Sequence, residues 1–162
     1  MGGCVMEYSP SKAMRRCNHL VGEIDGVYHE MALKLGLSDS AMIVLYTVCD
    51  SGGPCPLRDI CRRSGLSKQT LNSALRKLEA EGIVYLKPVS ARSKSVFLTE
   101  AGRTLAAETA GKVIQMENDI FASWPREDVE QYLELTERFL LDLRERAKKI
   151  EKGGLGRGRP LK

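Results

Sequence analysis

Polar side chains that can hydrogen-bond to the edges of nucleic-acid bases are concentrated in one short segment of the chain. They are Ser67, Lys68, Gln69, Thr70, Asn72, Ser73 and Arg76. Gln and Asn can pair with adenine in the major groove of DNA, and Lys and Arg can pair with guanine. Among these residues, Leu71, Leu75 and Leu78 recur at helical spacing. The segment therefore predicts a helix that packs one face inward and presents the other to DNA.

The same segment lies in the most basic part of the sequence. Residues 54–96 carry 9 basic and 3 acidic side chains, residues 1–53 carry 4 and 6, and residues 97–162 carry 12 of each. An excess of this size favours a polyanionic partner, although a charged run is more often a solvated face. Taken alone, the helix fits an ordinary solvated surface slightly better than a DNA-binding one.

The elements before residue 83 predict a helix-turn-helix. Apolar spacing, serine N-caps and glycine stops indicate four helices, at about 11–35, 38–49, 57–64 and 67–82. Ser38 and Ser67 are the N-caps of the second and fourth helices, and Gly65 and Gly82 end the third and fourth. The fourth helix is the one that carries the polar face.

After Gly82 the apolar residues no longer recur at helical spacing but form short continuous runs, which predicts a hairpin. The run 83–86, stopped by Pro88, and the run 96–98 are rich in β-branched and aromatic residues, which is typical of strands. The polar, basic stretch 89–95 lies between them. We therefore expect two short strands joined by a protruding basic loop.

Two more helices and a tail complete the predicted architecture. Thr99 caps a helix to about Phe121, and Pro125 starts a second helix that runs from 126 to about 152. The chain is thus expected to be mainly α with a small β-hairpin wing. Its predicted parts are an N-terminal dimerisation helix 1–36, a winged helix-turn-helix 37–102, C-terminal dimerisation helices 103–152 and a disordered basic tail 153–162.

The order of these elements and the segment Ser-Ala-Arg-Ser-Lys-Ser-Val-Phe-Leu-Thr-Glu-Ala-Gly at 90–102 resemble the MarR (multiple-antibiotic-resistance regulator) family of winged helix-turn-helix regulators. The resemblance covers roughly residues 11–151. The wing of that family has an Asp, an Arg two residues on, and then Leu-Thr-x-x-Gly. The matching residues here are Arg92, Leu98, Thr99 and Gly102.

The resemblance implies that Arg92 reaches the minor groove, with Lys94 at the minor groove or the backbone. Ser90 stands where the family has its aspartate. A serine cannot form an ion pair, although it can still cap the wing turn by a hydrogen bond. How the wing is held is therefore left open.

The function implied is that of a cytoplasmic, homodimeric DNA-binding regulator, a repressor released by a small-molecule effector. The first, fifth and sixth predicted helices offer more apolar face than the winged domain can cover, which also favours a dimer. A symmetric dimer predicts a pseudo-palindromic operator in double-stranded DNA. No apolar run reaches the roughly 18 residues of a membrane span, and no secretory signal is visible at the N-terminus, so a cytoplasmic location is expected.

An effector pocket is a further expectation from the resemblance. The family commonly binds small aromatic or phenolic effectors where the dimerisation helices meet the winged domain. Tyr28, Met42 and Tyr46 fall near that junction, although each fits plain core packing better. The tail segment 156–160 resembles the core of an AT-hook, but diffuse positive charge is the preferred interpretation.

Three other functions are weighed against DNA binding. A winged adaptor that binds only proteins would have no reason to keep the basic excess of residues 54–96. A redox-sensing regulator would need Cys17 at a position about one turn earlier, and an odd total of five cysteines favours reduced, inert thiols. An enzyme is not expected, because no second metal-binding cluster accompanies His19 and His29. Neither a metal nor a cofactor is predicted.

Overall fold

The computed structural model describes residues 8–90 and 93–150. Within these ranges the chain forms seven helices and a three-stranded antiparallel sheet with the strand order β1-β3-β2, which confirms the predicted fold class. The elements are α1 (Lys12–Lys34), α2 (Asp39–Asp50), β1 (Cys55–Pro56), α3 (Leu57–Ser64), α4 (Lys68–Ala80), β2 (Val84–Ser90), β3 (Ser93–Leu98), α5 (Glu100–Glu108), α6 (Ala110–Ser123) and α7 (Arg126–Lys148).

Side-chain caps fix the starts of four helices. Ser11, Ser38, Ser67 and Thr99 each accept a hydrogen bond from the backbone N–H three residues further on. This bond satisfies one of the N–H groups that the first turn of a helix leaves without a partner. The predicted starts of α1, α2, α4 and α5 are therefore confirmed.

α1 and α2 are joined by a short turn in which Gly36 adopts a φ of 75°. Across this turn, Nδ1 of His29 lies 2.8 and 2.9 Å from the two carboxylate oxygens of Asp39.

Among the described residues no single helix is long and apolar enough to cross a membrane. α1 and α2 meet that criterion, by length and composition only, when they are counted together across a bend of 93°.

The chain divides into two compact units, one that extends to Met116 and one that starts at Glu117. The hydrophobic core belongs to the first unit and is formed mainly by α2, α3, α4 and the sheet. Its largest fully buried side chains are Leu45, Ile60, Leu71, Leu78, Val44, Val84, Val96, Val113 and Cys55. In the second unit, α7 buries no residue completely, and the rings of Phe121, Trp124 and Tyr132 contact one another with centroids 5.5 to 6.0 Å apart.

The sheet is larger than the predicted two-stranded hairpin. β2 does not stop at Pro88 but continues to Ser90, with a bulge between these residues. A proline is tolerated here because β2 is an edge strand, where a missing N–H can face solvent. The additional strand β1 pairs with β3 through Cys55 opposite Val96 and Pro56 opposite Ser95. β1 was not predicted, because two residues are too few to show the alternation of apolar and polar side chains that is typical of a strand.

The predicted fifth helix is in fact two helices, because the chain breaks at Thr109. This residue is buried and has φ −121° and ψ −90°. Its hydroxyl donates a hydrogen bond of 2.6 Å to the carbonyl of Leu105, a local bond that competes with regular helix geometry. α7 ends at Lys148, earlier than the predicted end near 152, and the predicted tail 153–162 lies outside the described residues.

A close contact joins the end of α4, the start of β2 and the start of α5. The hydroxyl of Thr99 donates to the carbonyl of Gly82 at 2.6 Å and accepts the N–H of Gly102 at 2.9 Å. A Cβ atom added to Gly102 would lie 2.0 Å from the carbonyl oxygen of Ile83. Glycine is therefore the residue that lets α5 pack directly on the backbone of this turn.

We expect Gly102→Ala to lower the free energy of unfolding by about 3 kcal/mol, the upper end of what an overpacked contact costs, because the backbone of Ile83 must move. Urea denaturation followed by circular dichroism measures this change. Gly53→Ala is the matched control, since nothing lies within 4 Å of its added Cβ. Equal stability of the two variants would contradict this account of the turn.

Candidate nucleic-acid interface

α4 presents the predicted DNA-reading residues on one exposed face. Its inward face is formed by Leu71, Ala74, Leu75 and Leu78, which are all buried. The remaining polar side chains of the helix point to solvent. The predicted site residues that are exposed on α4 are Lys68, Gln69, Thr70, Asn72, Ser73 and Arg76. The division into two faces agrees with the apolar spacing.

The start of α4 is held by two of the predicted site residues themselves. The hydroxyl of Ser67 accepts the N–H of Thr70 at 3.1 Å, and the two hydroxyl oxygens lie 2.9 Å apart. Gly65, with a φ of 68°, turns the chain from α3 toward this cap. Ser67 and Thr70 therefore stabilise the end of the helix from which base readout would occur, and the positive end of the helix dipole points there.

A large cleft lies between α3, α4 and the hairpin of β2 and β3. Its volume is about 1080 Å³. It brings together predicted site residues that are far apart in sequence, Lys68 and Asn72 of α4 and Lys94 of β3. Pro88, which stands opposite Lys94 in the register of the hairpin, also lines the cleft. The predicted residues Gln69, Ser73 and Arg76 lie on the exposed face of α4 and not in the lining of this cleft.

Two further cations of the cleft, Arg58 and Arg62 of α3, were not among the predicted site residues. Their side chains are 87% and 78% exposed. Nε of Arg58 and Nη2 of Arg62 each lie 3.6 Å from Oδ1 of Asp59. Their spacing of four residues puts them on one face of a helix, which is a signal that the sequence contains. The adjacent Arg63 does not line the cleft, and it forms its ion pair with Asp50 at the end of α2.

The remaining predicted residues fall into two groups. Arg92 lies outside the described residues, so its place in the minor groove stays a prediction. Of the effector-pocket residues, Met42 is buried in the core, Tyr46 packs against it, and Tyr28 is 41% exposed on α1. An apolar groove of about 450 Å³ near the end of α1 is lined by other residues, among them Met31 and Met116. The effector pocket also stays a prediction.

Two thiols of the first unit are shielded from solvent, because Cys49 is partly buried and Cys55 is buried. Burial raises the pKa of the Cys49 and Cys55 thiols, and the negative charge of Asp59 raises that of Cys55 further, against a hydrogen bond with Ser51 that lowers it. Both are therefore thiols and not thiolates at neutral pH, which makes them weak nucleophiles. Cys17 is exposed on α1. Over residues 8–90 and 93–150, no cluster of three or more His, Cys, Asp or Glu side chains could hold a metal ion.

Residues 35–93, which include the helix-turn-helix and most of the hairpin, match the sequence profile of the MarR family. This segment is a MarR-family domain. No match to a curated protein is found.

Solved structures extend the similarity beyond the MarR-family domain. A MarR family transcriptional regulator from Silicibacter pomeroyi is 21% identical, with a TM-score of 0.63 over 81% of this chain and 89% of that chain. MepR from S. aureus, solved in complex with DNA, is 20% identical, with a TM-score of 0.60 over 85% and 99%. BpsR from Bordetella bronchiseptica, whose DNA binding is regulated by 6-hydroxynicotinic acid, is 19% identical, with a TM-score of 0.57 over 76% and 98%. At these identities the similarity establishes a shared fold.

We expect Ser67→Ala to lower the free energy of unfolding by about 1 kcal/mol, because the N–H of Thr70 loses its acceptor. Chemical denaturation measures this effect. Ser73→Ala, on the exposed face of the same helix, is the control and should change stability by less than about 0.5 kcal/mol, since alanine is a good helix former. Similar losses in both variants would show that the cap does not hold α4.

Proposed function

We propose that this protein is a sequence-specific DNA-binding transcriptional regulator. The observation that carries the proposal is the cleft in which cations from three elements converge, Arg58 and Arg62 of α3, Lys68 of α4 and Lys94 of β3. Four cations around one concavity suit a polyanion. A winged adaptor without DNA binding would have no use for this arrangement.

The side chains divide into those suited to bases and those suited to phosphates. An α-helix fits into the major groove, which is about 12 Å wide. We assign base contacts to the exposed face of α4, mainly to Lys68, Gln69, Asn72, Ser73 and Arg76, with Ser67 and Thr70 at its cap. We assign phosphate contacts to Arg58, Arg62 and Lys94. Arg92 would enter the minor groove, as the resemblance implies.

Gln69→Ala and Asn72→Ala should each cost about 1 to 3 kcal/mol of binding free energy on the preferred operator and much less on random DNA, because they remove base contacts. Lys94→Ala should weaken both by similar amounts. Fluorescence anisotropy with a selected operator and a scrambled duplex measures the difference, and Arg126→Ala, at the start of α7, is the charge control. If Gln69→Ala and Asn72→Ala lose affinity equally for both duplexes, α4 does not read bases.

Arg62→Ala should make the dependence of log affinity on log salt concentration shallower by about 1, because one phosphate contact is lost. Arg63→Ala is a matched control on the same helix, since that side chain pairs with Asp50 instead of lining the cleft. Its salt dependence should equal that of the unmodified protein. A change in slope with Arg63→Ala but none with Arg62→Ala would place the phosphate backbone elsewhere.

A homodimer is part of the same proposal. Large apolar side chains on α1 and on α7 are about half exposed in the single chain. They include Leu20, Val21, Ile24 and Val27 on α1 and Leu133, Phe139, Leu140 and Leu143 on α7. Soluble proteins rarely leave such patches in water. We propose that residues 1–36 and 103–152 form the interface with a second copy, so that two 37–102 domains bind a pseudo-palindromic operator.

Ile24→Glu combined with Val27→Glu should shift the protein from dimer to monomer, because two carboxylates would have to be desolvated in the interface. Sedimentation at micromolar concentration measures the state. The control is Arg15→Glu combined with Asn18→Glu, which adds the same groups to the opposite face of α1 and should leave the dimer intact. An unchanged dimer in the first variant would show that this face of α1 is outside the interface.

Repression and its release by a small aromatic or phenolic effector complete the proposal. The regulation of BpsR by 6-hydroxynicotinic acid is an example in a protein of the same fold. We keep Tyr28, Met42 and Tyr46 as the candidate effector contacts near the junction of α1 and α2. A protein that regulates genes acts where DNA is, so a cytoplasmic location belongs to the same proposal.

A further inference from the structure

The outer part of the β2–β3 hairpin has little support from the rest of the protein. The cleft assigned to DNA, of about 1080 Å³, lies along one side, and a cleft of about 530 Å³ lies between the base of the hairpin, the end of α2 and the loop 52–54. Val84, Ser95 and Val96 are the buried residues of the two strands. No described residue from Lys87 to Lys94 is buried. Contacts between the two strands must therefore hold this outer part.

The common means of joining two strands are weakened here. The segment 84–98 contains no acidic side chain, so Lys87 and Lys94 have no partner of opposite charge on the facing strand. Pro88 has no N–H for the ladder of hydrogen bonds, and the register shifts between Pro88 and Ser90. The backbone pairing near the end of the hairpin is therefore interrupted.

One cluster of side chains does connect β2 with β3. Tyr85 and Phe97 stand directly opposite each other, and their rings are stacked with centroids 5.2 Å apart and an angle of 15° between the planes. Nζ of Lys87 lies 5.5 Å from the centroid of the Tyr85 ring and 5.9 Å from that of the Phe97 ring. Both distances are within the roughly 6 Å over which a ring attracts a cation. We call Tyr85, Lys87 and Phe97 the aromatic clamp.

The aromatic clamp lies on the side of the hairpin that is turned away from the DNA cleft. Side chains alternate between the two faces of a strand, so the clamp residues project away from Pro88 and Lys94, which line that cleft. Lys87 is exposed but does not line the cleft. Any effect of Lys87 on the DNA cleft must therefore pass through the hairpin itself.

We propose that Lys87 is a positioning residue, which binds the rings of Tyr85 and Phe97 and thereby keeps the hairpin ordered with Lys94 in the wall of the DNA cleft. A cross-strand aromatic pair stabilises a sheet, and a cation over its rings adds to that stability. An ordered hairpin also loses less conformational freedom when DNA binds. The aromatic clamp itself does not require DNA binding, whereas its effect on DNA rests on the proposed function.

The first test is hydrogen exchange of the free full chain, measured by mass spectrometry. Lys87→Met keeps a long side chain but removes the charge, and it should raise the exchange rates of the hairpin amides about threefold, because a cation over an exposed ring contributes modestly. The rates in α2 and α4 should not change. Lys87→Arg should restore slow exchange, since a guanidinium also stacks on rings. Lys77→Met, on α4, is the charge control and should leave the hairpin unchanged.

The second test measures whether Lys87 acts through Lys94. Lys87→Met should weaken binding to a selected operator about threefold, but less than about 1.5-fold when Lys94→Ala is already present, because coupled residues are not additive. Combined with Arg62→Ala, on α3, the losses should multiply, as expected for residues in separate elements. A direct contact between Lys87 and DNA would instead multiply with both changes. Fluorescence anisotropy measures all these affinities.

The two tests separate the aromatic clamp from the proposed function. Unchanged hairpin exchange in Lys87→Met overturns the clamp. Faster exchange with unchanged operator affinity, or the same loss from Lys87→Met with and without Lys94→Ala, overturns the positioning role. If the unmodified protein binds no duplex, the proposed function fails and the role in DNA binding fails with it, while the exchange rates still decide whether the clamp orders the hairpin.

Discussion

The contact of Thr99 and Gly102 with the backbone of Gly82 and Ile83 determines how α4, the base of the hairpin and α5 are placed relative to one another. One hydroxyl donates to the end of α4 and accepts from the first turn of α5, and the missing Cβ of Gly102 lets the two segments touch. α4, the base of the hairpin and α5 therefore meet at one point. The pattern Leu-Thr-x-x-Gly thus has a physical explanation in addition to its family resemblance.

Features that depend on local chemistry could be predicted from the sequence. Ser38, Ser67 and Thr99 cap helices because a hydroxyl next to free N–H groups needs no distant partner. The inward face of α4 follows from the spacing of its leucines. β1 could not be predicted, because it is a strand only through its pairing with β3. The break at Thr109 also escaped prediction, since a threonine inside a helical pattern usually continues the helix.

The candidate site could likewise be predicted from the sequence only where local chemistry determines it. The exposed face of α4 follows from helical periodicity, so Gln69, Asn72 and their neighbours could be singled out directly. The relevance of Arg58 and Arg62 depends on α3 lying beside the hairpin, which only the tertiary structure shows. The same is true of the distinction between Arg62 and Arg63, adjacent residues of which one lines the cleft and the other pairs with Asp50. Sequence periodicity describes faces, whereas clefts arise between elements.

The proline and bulge near the end of β2 have a consequence for self-association. β2 is an edge of the three-stranded sheet, and an exposed edge strand can pair with a strand of another molecule. Pro88 has no N–H to offer, the bulge between Pro88 and Ser90 interrupts the regular ladder, and Lys87 places a charge on the same edge strand. Each of these features discourages strand addition. The hairpin can therefore keep an exposed edge strand without pairing with a strand of another molecule.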